Sequence, residues 1–148
     1  MDINVKILLS RGMEAPAYAT EGSAAIDLRA AIDEGTTVEV KPGERALIPT
    51  GIAIALPDAG YVALVFARSG LGIKHGIAPA NCVGVIDSAY RGEIMVGLQN
   101  SGDSDYTVQP ADRIAQLMIT PVVQATVSMV EELDDTARGT GGFGSTGK

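Results

Sequence analysis

The stretch GVIDSAYRGE at residues 84–93 joins two apolar runs that are typical of β-strands. Residues 81–86 form the first run, and in the second three apolar side chains share one face at the period of two that a strand requires: Ile94, Val96 and Leu98. Two strands joined by a turn-rich loop predict a β-hairpin. The loop places a carboxylate, a hydroxyl, a ring and a cation within five positions: Asp87, Ser88, Tyr90 and Arg91. Such residues also make ordinary turns, so the meaning of this loop depends on the rest of the chain.

The rest of the chain is a succession of short apolar runs punctuated by glycine and proline. Besides residues 81–86 and 92–100, the predicted strands are residues 3–9, 24–28, 37–40, 45–49, 52–56, 61–68, 106–108, 113–120 and 124–130. A short turn after Ser69 is the one helical candidate. Strands at this spacing predict an all-β fold, as a sandwich, jelly roll or barrel. From Thr136 onward small polar residues and glycine dominate, which predicts a β domain over residues 1–135 and a flexible arm over residues 136–148.

Length and hydropathy indicate one domain that associates with other copies. The 148 residues are enough for a single core. Mean hydropathy is +0.20 although 20% of residues are charged, which suggests more apolar surface than one small domain buries. No apolar run approaches the ~18 residues of a membrane span, and no basic segment precedes an apolar one at the N-terminus. We therefore expect neither membrane insertion nor a secretory signal.

Charge and cysteine content exclude several classes of function. A net charge of −7 argues against nonspecific nucleic-acid binding, although a small anion can bind where the few cations gather. The single cysteine cannot form an internal disulfide, which fits a reducing, cytoplasmic compartment. One Cys and one His are too few for structural zinc, which needs about four such ligands. Any metal is then held by oxygen ligands or by the substrate.

Two segments ahead of the central loop could carry chemistry. Asp27 lies between apolar residues on a predicted strand, where an acid is costly unless paired. A structural ion pair with an arginine is as good an interpretation as a functional role. The segment Arg68-Ser69-Gly70-Leu71-Gly72 ends a strand with a cation, a hydroxyl and two glycines. Glycines allow N–H groups to converge on phosphate oxygens and arginine supplies a charged fork, although a plain strand-to-turn connection has the same composition.

Two segments after the loop could also contribute. Gln116 shares a strand face with apolar neighbours, so its amide needs a partner, for which a backbone group is the plain alternative. The stretch RGTGGFGSTGK at residues 138–148 offers an arginine, a ring and hydroxyls on a glycine-rich arm. An inert tail explains its glycines but not Phe143.

Together these segments resemble the trimeric dUTP diphosphatases (dUTPases), whose five motifs they match in order. The matching stretches are residues 24–28, 68–70, 81 with 84–92, 112–116 and 138–145. Ala25 stands where the family often has glycine, Ala67 where proline is usual, and Pro110-Ala111-Asp112 where Gly-Glu or Gly-Asp is usual. None of these departures removes a functional side chain.

The resemblance implies a fold, an assembly and a reaction. The fold is a jelly-roll-like β-sandwich or distorted barrel, and the assembly is a cytoplasmic homotrimer with active sites at subunit interfaces. The reaction is dUTP + water → dUMP + pyrophosphate, by attack of water at the α-phosphorus. It limits uracil incorporation into DNA and supplies dUMP for dTMP synthesis.

The resemblance also implies roles for individual residues on the base, sugar and catalytic side. Asp87 holds and deprotonates the attacking water, and Gln116 helps to position it. Tyr90 packs against the deoxyribose. Hydrogen bonds to uracil come from Asn81 and from the hairpin backbone at Val85, Ile86, Asp87 and Met95.

On the phosphate side, Arg68, Ser69 and Gly70 of a neighbouring chain hold phosphates. The arm of the third chain lays Phe143 over uracil and brings Arg138 and Ser145 to the phosphates. Mg²⁺ is carried by the triphosphate and water rather than by a direct protein ligand. Asp27 is then an outer-shell or structural partner.

Two alternatives remain open from the sequence. A dCTP deaminase, with or without a diphosphatase step, shares this fold and needs a base near the pyrimidine 4-position, for which Glu93 is the nearest candidate. A non-catalytic trimer that binds nucleotide as a sensor or scaffold is the second alternative, and it does not require Asp87, Gln116 and the arm together.

Overall fold

A computed structural model of the chain describes residues 3–142, which contain eleven strands and one short helix. In chain order these are β1 (Lys6–Leu9), β2 (Ile26–Arg29), β3 (Val38–Val40), β4 (Arg45–Pro49), β5 (Ile52–Ala55), β6 (Tyr61–Phe66), α1 (Ser69–His75), β7 (Ile77–Pro79), β8 (Gly84–Ile86), β9 (Met95–Asn100), β10 (Tyr106–Val108) and β11 (Arg113–Pro121). The all-β prediction is confirmed, as is the helical turn that begins at Ser69.

The strands form antiparallel sheets around one core. The largest sheet has the order β2-β11-β6-β8, and a second has the order β4-β9-β7. The pairs β1-β5 and β10-β3 complete the arrangement. Buried aliphatic side chains from strands of all four sheets pack together. Ile94, just before β9, and Val96 and Leu98 within it lie among them, as their predicted common face requires. Within residues 3–142 the sheets do not close into a barrel, so the sandwich is the form of the predicted fold that applies.

The predicted hairpin between residues 81–86 and 92–100 is wrong in its pairing. β8 pairs with β6, whereas β9 pairs with β4 and β7 in another sheet. The loop at residues 87–94 therefore crosses from one sheet to the other. Because the two strands diverge, the backbone edge of β8 that faces away from β6 is not occupied by β9.

Two other strand predictions differ from the structure. β7 was not predicted; it ends at Pro79, and its place at the edge of its sheet explains why proline is tolerated there. The strand predicted at residues 124–130 is absent, because no strand or helix occurs between Pro121 and the end of the described range. The division of the chain at residue 135 stays a prediction. Among the described residues, no helix is long and apolar enough to cross a membrane.

Candidate functional site

Strand β6 places the predicted site residues at two opposite ends of one sheet. Ala63 of β6 pairs with Ile86, so Asp87 follows at the Tyr61 end of β6. Phe66, at the other end, pairs with Gln116, and Arg68 lies two residues further on. Measured along the direction of β6, the positions of Asp87 and Arg68 are six residues apart, which is about 20 Å of extended chain. One chain therefore carries two separate groups of site residues, named below the loop group (Asn81, Val85–Tyr90 and Met95) and the arginine group (Asp27, Arg68–Gly70, Arg113 and Gln116).

The loop group begins with a turn that exposes the carboxylate of Asp87 to solvent. The Tyr90 N–H donates to the Asp87 carbonyl at 3.0 Å, which closes the turn. The Arg91 guanidinium donates to the carbonyls of Ser88 at 2.7 Å and Tyr90 at 2.8 Å. Arg91 thus holds the loop together through its backbone, while Asp87 remains available to a ligand.

The ring of Tyr90 is folded back over the end of the same loop. Its hydroxyl donates to the carbonyl of Glu93 at 3.0 Å. A Cβ atom at Gly92 would lie 2.6 Å from the Tyr90 Cζ, so a side chain at position 92 would displace the ring from this place. Tyr90 is 45% exposed.

The remaining members of the loop group lie along the strand edges on either side of the loop. Val85 is 63% exposed in β8, and Met95 at the start of β9 is 39% exposed. Asn81 is exposed in the turn ahead of β8, and its amide lies close to Gly84. The amide of Asn81 and the backbone of β8 therefore border the same surface.

The arginine group is organised by Asp27. One carboxylate oxygen of Asp27 accepts from Arg68 Nε at 2.7 Å, and the other accepts from an Arg113 terminal nitrogen at 3.3 Å. The interpretation of Asp27 as a partner in a structural ion pair agrees with these contacts. Arg113 was not predicted as the ion-pair partner of Asp27, because the sequence alone does not show that residues 86 positions apart are in contact.

The amide of Gln116 is oriented by the backbone. Its Nε2 donates to the Ala67 carbonyl at 2.8 Å, next to Arg68. Gln116, Arg68, Ser69 and Gly70 line a cavity of about 640 Å³ together with Asp27 and Arg113. Ser69 and Gly70 are in the first turn of α1, where backbone N–H groups have no intrahelical acceptor. This cavity combines cations with free donors, an arrangement that suits phosphate oxygens.

The arm contributes only partly to the described structure. Arg138 Nε donates to the Gly141 carbonyl at 3.0 Å, and the Gly141 N–H donates back to the Arg138 carbonyl at 3.1 Å. These contacts are local to the arm. Phe143 and Ser145 lie outside the described residues.

Glu93, the candidate base of the deaminase alternative, is engaged elsewhere. Its carboxylate accepts from Arg11 at 2.9 and 3.2 Å and from the Gly51 N–H at 2.8 Å. The Arg11 hydrogen bond, supported by the Gly51 N–H, holds the pKa of Glu93 below its ordinary value although burial opposes this shift. A carboxylate with a lowered pKa and filled acceptor positions is a poor general base. The link to Arg11 joins residues 82 positions apart, and the sequence gives no signal of it.

Comparisons with known proteins agree with this geometry. The family model described as dUTPase matches residues 11–147. A protein from Paraburkholderia phymatum named deoxyuridine 5'-triphosphate nucleotidohydrolase is 54% identical over all of this chain and 99% of its own length. A protein of the same name from Janthinobacterium sp. is also 54% identical, over 99% of this chain and 97% of its own.

Solved structures give the same result. The dUTPase of Staphylococcus bacteriophage 80alpha with dUPNHPP superposes with a TM-score of 0.86 at 28% identity, covering 98% of this chain and 99% of its own. A mutant dUTPase from phage phi11 of S. aureus, described as revealing the coordination of a structural Mg(II) ion, has a TM-score of 0.76 at 26% identity and covers 87% of this chain and 97% of its own. The solved dUTPases thus share the fold of this chain.

Proposed function

We infer the mechanism of this protein from one premise: the chain belongs to the dUTPase family, and it is a dUTP diphosphatase that hydrolyses dUTP to dUMP. The observation that carries the mechanism is the separation of the loop group from the arginine group along β6. A water activated by Asp87 must reach the same triphosphate that Arg68 binds, and about 20 Å along one strand does not allow this. We therefore propose that each active site joins the loop group of one copy to the arginine group of the next.

In this site Asp87 is the general base. Its carboxylate is solvent-exposed at the end of a closed turn and can hold a water within hydrogen-bond reach of the α-phosphorus. Gln116 is held by its Nε2 bond to the Ala67 carbonyl, which turns the amide oxygen to the water as an acceptor. Phosphoanhydride hydrolysis depends on alignment of the water and neutralisation of charge rather than on covalent chemistry, and both are supplied by such an arrangement.

The arginine group binds the phosphates. Because Arg68 Nε donates to the Asp27 carboxylate, the terminal nitrogens of Arg68 are left for the ligand. The Ser69 hydroxyl and the backbone N–H groups of Ser69 and Gly70 add neutral donors from the first turn of α1. This division of labour gives Asp27 the part of a positioning residue rather than a ligand of the substrate.

Mg²⁺ enters with the nucleotide as part of the substrate. Among residues 3–142 no group of three or more His, Cys, Asp or Glu side chains is placed to hold a metal ion. Asp27, in the phosphate cavity, is already shared between Arg68 and Arg113. A magnesium ion on the triphosphate neutralises charge on the phosphate oxygens, with water as its remaining ligands.

The base and the sugar are recognised by the loop group. The backbone at Val85, Ile86, Asp87 and Met95, with the Asn81 amide, supplies the donors and acceptors that read uracil. A cytosine in this position leaves a buried group without its hydrogen bond, which can cost ~10⁴ in specificity. Tyr90 lies flat against the deoxyribose and leaves no room for a 2′-hydroxyl, because its ring is fixed between Gly92 and the Glu93 carbonyl.

The assembly that we propose is a homotrimer. A contact between the loop group of one copy and the arginine group of the next is head-to-tail, and such contacts form a ring when the rotation between copies closes, here after three copies. The segment after β11 is apolar yet open to solvent in a single chain: Val123 is 90%, Val127 86%, Met129 97% and Leu133 88% exposed. We propose that this segment packs on a neighbouring copy and carries the arm (residues 136–148) to the site of a third. There Phe143 stacks on uracil, and Arg138 and Ser145 bind the phosphates.

We place the enzyme in the cytoplasm. Cys82 is exposed and unpaired, a state that a reducing compartment maintains.

Product analysis tests the reaction directly. We expect pyrophosphate and dUMP from dUTP, and no ammonia from dCTP. Ammonia release would restore the deaminase alternative, and binding of dUTP without any product would restore the non-catalytic one. Occupation of the Glu93 carboxylate by Arg11 and Gly51 is the structural reason for expecting no deamination.

Replacement of Tyr90 by alanine tests the sugar contact. Tyr90→Ala opens space beside C2′, so the ratio of kcat/KM for dUTP to that for UTP should fall by roughly fivefold or more. The change should come mainly from faster UTP hydrolysis, which steady-state kinetics with both nucleotides will show. An unchanged ratio would mean that the ring serves the loop's structure alone.

A further inference from the structure

The end of the loop is held by a clamp, defined as Arg11, Gly51 and Glu93. The guanidinium of Arg11 binds both carboxylate oxygens of Glu93, at 2.9 and 3.2 Å. The Gly51 N–H donates to one of the same oxygens at 2.8 Å. Glu93 is thus tied to the N-terminal turn and to the connection between β4 and β5, neither of which belongs to the loop or arginine groups.

The base of the clamp is rigid. Gly51 has a φ of +67°, and a Cβ atom at this position would lie 2.6 Å from Met13 Cγ and 2.8 Å from the Ser10 carbonyl oxygen. Its own carbonyl accepts from the Ser10 N–H at 2.8 Å. The backbone beside Glu93 is fixed to the same part of the chain. The Ile94 N–H donates to the Ile52 carbonyl at 2.7 Å, and the Thr50 hydroxyl donates to the Ile94 carbonyl at 2.6 Å.

The clamp reaches the substrate loop through one backbone carbonyl. The Glu93 carbonyl accepts the hydroxyl of Tyr90 at 3.0 Å, and Gly92 lies against the same ring. The Glu93 side chain, through Arg11 and Gly51, and the Ile94 N–H bond to Ile52 therefore together hold the peptide whose carbonyl accepts Tyr90. A shift of the Glu93 backbone moves the ring.

The clamp is only partly screened by water. The Arg11 side chain is 48% exposed and that of Glu93 is 25% exposed. Exposure on the Arg11 side limits what the pair adds to stability. Bidentate geometry does fix orientation, which is what a loop that must hold a ring at a set distance from a sugar requires.

We propose that Arg11 and Glu93 are positioning residues for sugar selectivity: by clamping the end of the loop they hold the Tyr90 ring at the place where it excludes a 2′-hydroxyl. The inference rests on the proposed contact between Tyr90 and the deoxyribose. Glu93 itself does not contact the substrate. The effect of Glu93 on the substrate passes through its backbone carbonyl and the Tyr90 ring.

Graded variants of the clamp provide the test. Glu93→Ala removes every side-chain bond, Glu93→Gln keeps an acceptor for the Gly51 N–H, and Arg11→Met removes only the cation. Steady-state kinetics with dUTP and UTP should show the dUTP/UTP ratio of kcat/KM falling by roughly threefold in Glu93→Ala, with smaller falls in the other two. The ratio should fall because kcat/KM for UTP rises, with the kcat for dUTP nearly unchanged. Glu39→Gln, which breaks the exposed pair between Glu39 in β3 and Lys41, is the matched control and should leave the ratio unchanged.

The outcomes separate this proposal from the one on which it rests. A fall in the ratio in Tyr90→Ala together with an unchanged ratio in all three clamp variants would overturn the clamp's role and leave that of Tyr90 intact. An unchanged ratio in Tyr90→Ala would overturn both. If Glu93→Ala does not fold, Glu93→Gln and Arg11→Met decide, because both keep an acceptor for Gly51. An equal loss of kcat/KM for dUTP and UTP, accompanied by a lower Tm, would identify the clamp as structural and contradict the proposal.

Discussion

Asp87→Asn should reduce dUTP hydrolysis at least 100-fold while nucleotide binding survives, because the amide keeps the shape of the carboxylate and loses its basicity. The Asp87 side chain is exposed in the loop, so its replacement removes no contact that the fold needs. The measurement is single-turnover hydrolysis of dUTP, with the affinity for a non-hydrolysable dUTP analogue measured by calorimetry.

Asp103→Asn is the matched control for the change in charge. Asp103 is also exposed, and the side-chain contact described for it is with its neighbour Ser104 at 3.1 Å. We expect this variant to turn over dUTP at the wild-type rate. Near-normal turnover in Asp87→Asn would remove Asp87 from the mechanism, and a parallel loss of analogue binding would assign it to recognition instead.

Ending the chain after Ala137 should lower turnover at least tenfold and leave the assembly and its Tm nearly unchanged. The described contacts beyond Ala137 are within the arm, between Thr136, Arg138, Gly139 and Gly141, so their loss does not reach the core. Ordering a glycine-rich segment costs on the order of 1–2 kcal/mol per residue. Stacking of Phe143 on the base, at ~1–3 kcal/mol, and phosphate contacts from Arg138 are needed to offset this.

Limited proteolysis supplies the complementary observation for the arm. The full-length protein should be cut in residues 136–148 when empty and resist cutting with a bound dUTP analogue, because closure excludes bulk water from the reacting phosphate. Phe143→Ala should fall between the truncated and the full-length protein in turnover. A truncated chain that hydrolyses dUTP at full speed would make the arm an inert tail.

Local sequence signals predicted the strands whose ends are marked by turns. Strands β4 and β10 have the predicted bounds. The turn residues Lys41-Pro42-Gly43-Glu44 come directly before β4 and therefore mark where it starts. The strand predicted at residues 81–86 begins only at Gly84, because Cys82 has a φ of 62° within the preceding turn. A positive φ at a non-glycine residue leaves no mark in the sequence.

Tertiary pairing is the part that the sequence did not reveal. The separation of Asp87 from Arg68 follows from the register of β6 with β8 and β11, and the period of two along each strand carries no register. The apolar alternation at residues 124–130 is real, but a strand needs a partner edge, and a single chain supplies none to this segment. The contacts of Glu93 with Arg11 and of Asp27 with Arg113 join distant residues for the same reason.

Mixed assemblies test most directly whether Asp87 and Arg68 of different copies form one site. Differently tagged Asp87→Asn and Arg68→Gln chains, each inactive alone, are co-expressed and isolated through both tags. In every trimer that contains both chains, one of the three interfaces joins an intact loop group to an intact arginine group, so about one third of wild-type activity should return. Co-expressed Asp87→Asn chains carrying the two tags provide the blank. Activity no higher than that of the parent variants would place Asp87 and Arg68 of the same chain in the same site and contradict the account.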